Sequence, residues 1–261
     1  MGVLEAPAWL VPAFVRNVVG AGATAQPDEI RAVAERLLER WLSPGRNFHN
    51  VKHLVEVLVR VDEIEEESHE PDLVRLAAWY HGAVFDSAER KAYASKGGED
   101  EAASARLAYE ELVGLGVPEK HAMRVHDLVT ALVRHSPDPK DPDCAVLCDA
   151  DLAMLASEPQ RYKAYLQDVR AEYAHVPAPD YARARARILR KLLSRPSLFS
   201  SPLGAAWEEP ARQNVEAELQ RLEKEIARHD AEAAAQALVA PDPVEDTGAG
   251  AAVPPDGAAA P

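Results

Sequence analysis

His49 and His53 stand four residues apart in NFHNVKHLVEVL (47–58). That spacing sets both imidazoles on one face of a helix, where such a pair can hold one divalent metal ion. Asn50 and Glu56 border the same face, which reads as the wall of a polar cleft. His81 lies in LAAWYHGAVFD (76–86), with Ala77 and Ala78 a turn before it and Val84 and Phe85 a turn after. The helical period therefore assigns an ionisable ring to an apolar face. Asp151 is bracketed in the same way by Leu147, Cys148 and Leu155, and Arg185 interrupts a stripe between Tyr181 and Ile188. His135 ends the stripe of Val125, Leu128, Val129, Leu132 and Val133. A carboxylate or guanidinium on a buried face is costly unless it is paired, hydrogen-bonded or metal-bound. Each residue also has an ordinary reading. A core histidine can be satisfied by hydrogen bonds, His135 can complement the negative end of its own helix, and Asp151 and Arg185 can pair with each other. Convergence on one polar cavity is the reading that gives the set chemistry. Asp149 and Asp151 are separated by about 200° of helical rotation, so they project to opposite sides. The stripe selects Asp151 as the buried one and leaves Asp149 as a neighbour or a cap.

These side chains must be placed by helices. Apolar stripes at helical period predict helices around Val125–Val133, Tyr162–Tyr173, Tyr181–Leu192 and Val215–Ile226, with earlier ones over about 8–20, 27–42, 48–66, 72–86, 99–115 and 143–156. Breaks fall at Ser43-Pro44-Gly45, Glu70-Pro71, Gly97-Gly98, Gly116 to Pro118, Ser136 to Pro142 and Pro177 to Pro179. No segment alternates with period two as a half-buried strand does. The expectation is an all-α, single-domain helical bundle over residues 1–229. From Asp230 to Pro261 the chain is rich in Ala and Pro, with six acids and no Lys, Arg or aromatic residue. That composition predicts a disordered acidic tail.

The bulk properties narrow the function. The chain has 261 residues, 29 Lys+Arg against 43 Asp+Glu, and a net charge of −14. This argues against a nucleic-acid polymer or an anionic membrane as the main partner, since both need clustered positive charge. Hydrophobic residues make up 47%, enough for a real core. No run approaches the ~20 apolar residues that span a bilayer, and MGVLEAPAWL lacks the order of a signal peptide. Two cysteines, Cys144 and Cys148, make no disulfide framework and read as small core residues. A cytoplasmic, reducing compartment is expected; the oligomeric state is left open.

The ordered succession NFHNVKHLVEVL, LAAWYHGAVFD, EDEAASA (99–105), LVRHS (132–136) and LCDADLAML (147–155) resembles the predicted metal-dependent phosphohydrolases of the HD superfamily. The likeness continues through VRAEY (169–173), ARARARIL (182–189) and EEPARQNVEAEL (208–219). It implies an HD-type helical bundle in which His53, His81 and Asp151 hold a divalent metal, with His49 assisting. Mn, Fe, Ni, Zn and Mg all suit imidazole and carboxylate ligands in varying degrees. It implies phosphoester hydrolysis of a small phosphorylated molecule, a nucleotide being one candidate. The family's His-Asp pair is His81-Gly82 here, which brings in a second reading: a catalytically silent module that binds a nucleotide or a protein. Asp86, one turn beyond Gly82, is a candidate replacement carboxylate. For a live site, His135, Asp86 and Glu101 are the candidate general bases. Arg46, Lys52, Arg134, Arg170 and Arg185 are the cations available for a phosphate. The pair Glu208 and Arg212 reads as structural.

Overall fold

The computed structural model describes residues 5–85 and 98–239, so the Asp86 expectation lies outside the described residues. Ten α-helices occupy them: α1 (Leu10–Gly20), α2 (Pro27–Trp41), α3 (Val51–Glu63), α4 (Pro71–Tyr80), α5 (Glu101–Gly114), α6 (Glu119–Ala131), α7 (Pro142–Leu152), α8 (Pro159–Glu172), α9 (Ala178–Leu193) and α10 (Ala205–Val239). Short 3-10 turns follow α3 (Glu65–Glu67) and α7 (Ala153–Ala156). Among the described residues there is no sheet, and one isolated antiparallel bridge joins Phe85 to Glu99. The fold is all-α, as the periodicity predicts.

Local chemistry sets the helix starts. Gln26 and Glu29 form a reciprocal cap on α2, with Pro27 in its first turn. The side chains of Asn50, Asp100 and Asp141 accept from the backbone N–H groups of Lys52, Ala103 and Cys144 at the starts of α3, α5 and α7. The stripe Ile30, Val33, Ala34, Leu37 and Trp41 buries one face of α2 and delivers an indole to its last turn.

Two main apolar clusters result, beside a small third one of Val169, Tyr173 and Tyr181. The larger runs from α1 to α7 and includes Phe14, Trp41, Trp79 and Leu147. The smaller joins the 3-10 turn after α7 to α8, α9 and α10 through Leu155, Tyr162, Leu189 and Val215. Trp207 packs against both. Helix α7 and its 3-10 extension contribute to each cluster, so Asp151 sits at their seam.

Three expectations are corrected. The helix predicted over 72–86 ends at Tyr80, because the Gly82 carbonyl accepts from Arg46 and the chain turns toward the Phe85–Glu99 bridge. The helix near 125–133 ends at Ala131, which leaves Val133 on the surface. The tail does not begin at Asp230: α10 continues to Val239. Its Ala-rich sequence propagates a helix already nucleated upstream, and Arg183 pairs with Asp230. Residues 240–261 lie outside the described residues.

Candidate metal centre

Helices α3, α4 and α7 bring His53, His81 and Asp151 together. His53 Nε2 lies 3.2 Å from His81 Nε2 and 3.2 Å from Asp151 Oδ1. His81 Nε2 is 3.6 Å from the same oxygen, and one potential ligand atom from each residue falls within 4.8 Å of the others. His53 and His81 are buried, and Asp151 is partly so. His81 Nδ1 is 2.6 Å from the Ala78 carbonyl. A carbonyl oxygen only accepts, so Nδ1 carries the proton and Nε2 turns a lone pair toward His53 and Asp151. Metal-ligating histidines are oriented in this way, through a hydrogen bond from the other ring nitrogen.

The electrostatics agree with a ligand set. Burial lowers the pKa of His81 and keeps the ring neutral. Burial alone would raise that of Asp151, but hydrogen bonds from His135 and His53 hold it well below the usual carboxylate range. Two imidazoles and one carboxylate are a donor set that zinc, iron, nickel or manganese accepts. The residues present therefore fit a divalent ion.

His135 approaches from the other oxygen of Asp151, with Nε2 2.6 Å from Oδ2. Its backbone is left-handed, φ 44°, a conformation that costs a non-glycine residue about 1–3 kcal/mol. Arg195 sustains the turn: its Nη1 donates to the His135 carbonyl at 2.8 Å and its Nη2 to that of Arg134 at 2.7 Å.

His49 is not the fourth member of the triad. Its Nδ1 is 2.7 Å from Glu172 Oε2 and its Nε2 is 3.8 Å from Glu99 Oε2. Burial opposes a charge here, yet Glu99 and the Glu172 hydrogen bond outweigh it and raise the pKa to about 9. Glu172 also accepts from the backbone N–H groups of Phe48 and His49, at 2.8 Å each, which fixes the loop entering α3. His49, His53, Glu99, His135 and Asp151 line a cavity of about 140 Å³ walled in part by Tyr165.

The carboxylate expected at Glu101 is supplied two residues earlier. Glu101 stands in the first turn of α5, whereas Glu99 lines the cavity with Oε1 buried and unpartnered among the described residues. The Phe85–Glu99 bridge brings it there. That pairing has no helical period to announce it.

Gly82 has a physical explanation as well. It is not mid-helix, as the sequence reading supposes, because α4 has already ended. A Cβ at Gly82 would run into the indole of Trp41, 2.9 Å from Cζ3. That indole is fully buried, donates from Nε1 to the Trp79 carbonyl at 2.9 Å, and packs 5.2 Å from the His81 ring. Trp41 thus fills the space into which a side chain at position 82 would point.

Three of the four arginines proposed for phosphate are occupied elsewhere. Arg46 is buried, lies over the rings of Trp41 and Phe85, and donates to the carbonyls of His49 and Gly82 at 2.9 and 2.8 Å. Burial lowers its pKa to about 10, with Glu99 and Glu172 opposing the shift. Arg170 donates to the carbonyls of Tyr173 and Val176. Arg185 pairs with Glu218 at 2.8 Å and donates to Tyr165, so it is not the partner of Asp151. Arg134 and Lys52 are exposed. Asp149 is more buried than the stripe implies, 1% exposed on the opposite face, where it accepts from the N–H groups of Ser200 and Ser201.

No described helix is long and apolar enough to cross a membrane. Compared with protein-family models, with curated proteins and with solved structures, the chain matches none.

Proposed function

We propose that the protein is a metal-dependent phosphohydrolase of HD type acting on a small phosphorylated molecule, with His53, His81 and Asp151 as the metal ligands. The observation that carries this reading is their approach to within 4.8 Å from α3, the end of α4 and α7, next to a cavity able to admit a phosphoryl group. A bound divalent ion supplies Lewis acidity, polarising a phosphoryl oxygen and acidifying water.

The remaining roles belong to the chain's own side chains. His135 donates from Nε2 to the second oxygen of Asp151 and so holds a proton beside the ligand set. His49, kept protonated by Glu99 and Glu172, contributes positive charge to a cavity whose nearby arginines are engaged with carbonyls and Glu218. The unpartnered Oε1 of Glu99 is an acceptor available to a water or to a substrate hydroxyl. Tyr165 and Phe48 pack edge to face at 4.7 Å beside His53 and restrict solvent at the ligand face.

A second reading rests on Gly82. With Trp41 where a second carboxylate would stand, the ligand set has one acidic member, which suits a module that binds a phosphorylated ligand without turning it over. Metal analysis of untagged protein purified without chelator tests the shared premise: near-stoichiometric metal, lost in His81→Ala, is expected. Turnover of a phosphomonoester panel by the loaded protein then separates the two readings. Loss of turnover in His135→Asn with metal retained supports hydrolysis, whereas binding without turnover by the wild type supports the silent module.

A further inference from the structure

A groove of about 220 Å³ runs outward between α3 and the segment from Ala150 to Arg161. It shares His53, Asp151 and Met154 with the cavity described above, so its inner end is the candidate metal centre itself. Nothing in the proposed reaction uses its outer part. Val59, Ala153 and Met154 give it apolar walls. Its two cations are each matched by a carboxylate within the groove, Arg60 to Glu63 at 2.5 Å and Arg161 to Glu56. Arg60 is further held over the Trp207 ring. The hydroxyl of Ser157 is buried and lacks a hydrogen-bond partner among the described residues, which is costly unless a ligand or water completes it.

We propose that this groove binds the organic half of a phosphomonoester, an uncharged and largely apolar alcohol, with Ser157 Oγ as its polar contact. The inference rests on the phosphate-binding half of the reading above and adds the substrate class to it. Continuity with the ligand set places the body of a bound ester in the groove when its phosphoryl group is in the cavity. Charge then selects the body. A nucleoside triphosphate or a bisphosphate would need cations for its further phosphates, and the groove's arginines are already neutralised. Its volume suits a body smaller than most drug-sized ligands.

The test uses the full chain loaded with manganese(II), and calorimetry with benzylphosphonate and methylphosphonate, which share a phosphoryl group and resist hydrolysis. Benzylphosphonate is expected to bind about tenfold tighter or more. Val59→Trp, at a side chain 45% exposed on the groove wall, is expected to abolish that preference. Val113→Trp, on exposed α5 surface, is expected to leave it intact. Equal affinities for the two phosphonates, a preference that survives Val59→Trp, or no binding of either would each overturn the proposal. Phosphomonoester turnover in the same samples reads the hydrolase assignment separately: a preserved preference without turnover sinks hydrolysis and leaves the groove standing.

Discussion

A side chain at position 82 and the indole of Trp41 compete for one space. Gly82→Asp is therefore expected to destabilise the fold by about 1–3 kcal/mol through overpacking, seen as a lowered urea midpoint at unchanged slope. An aspartate accommodated at no cost would show that the indole yields freely. Arg195 acts at the same scale. Removing its guanidinium in Arg195→Ala frees two carbonyls and releases the left-handed turn at His135. About 1–2 kcal/mol of stability should be lost, and turnover should fall with metal content unchanged. Arg195→Lys, restoring one donor, should recover part of both. Metal content that falls with turnover would assign Arg195 to the ligand set instead. The residues at this scale were unevenly legible. His53, His81 and Asp151 stand out because each puts a polar group on an apolar stripe. Glu99, Trp41 and Arg195 carry no such mark, since their importance comes from contacts across 14 or more positions in sequence.

Helices were readable where one face stays buried from end to end, as in α2, and misread where a turn is set by a distant partner. The end of α4 depends on Arg46 reaching the Gly82 carbonyl, which no period encodes. Asp143 shows the same dependence on remote contacts. It accepts from Ser68 Oγ, from the N–H groups of His69 and Glu70, and from Arg124, tying the entry of α4 to α6 and α7. Burial would raise its pKa, but these bonds outweigh burial and lower it below 3.8. A carboxyl with a depressed folded-state pKa contributes stability that is present above its unfolded value and lost as pH falls through the folded one. Asp143→Asn is accordingly expected to cost about 1–3 kcal/mol near neutrality. The difference from wild type should shrink as acid is added below pH 3.8, in a series of urea titrations. A difference that stays constant with pH would place the loss elsewhere.

At the level of the whole chain, the candidate ligands come from α3, the end of α4 and α7, while Glu172 fixes His49, Tyr165 walls the cavity and Arg195 holds the turn at His135. A bound ion would join α3, α4 and α7, so manganese(II) at a hundredfold excess over its Kd should stabilise the folded state by about 2.7 kcal/mol. Thermal denaturation with and without metal reads this, and no shift in His81→Ala is the matching control. Truncation after His229 removes exposed helix and the surface pairs of Asp230 with Arg183 and of Glu232 with Arg228 and His229. It is expected to cost under about 1 kcal/mol, which equilibrium urea unfolding of the shortened chain would verify. The all-α class was visible in periodicity alone, because burial of one helical face needs no knowledge of partners. The seam was not, because two clusters sharing α7 and Trp207 leave the same stripes in the sequence as one would.

The position of Trp41 has an optical consequence. Its ring lies 5.2 Å from that of a candidate ligand and is sealed from water, so the chain carries an intrinsic fluorophore beside its own centre. Paramagnetic ions arriving at His81 would dim that emission, and occupancy could be followed in real time without a label.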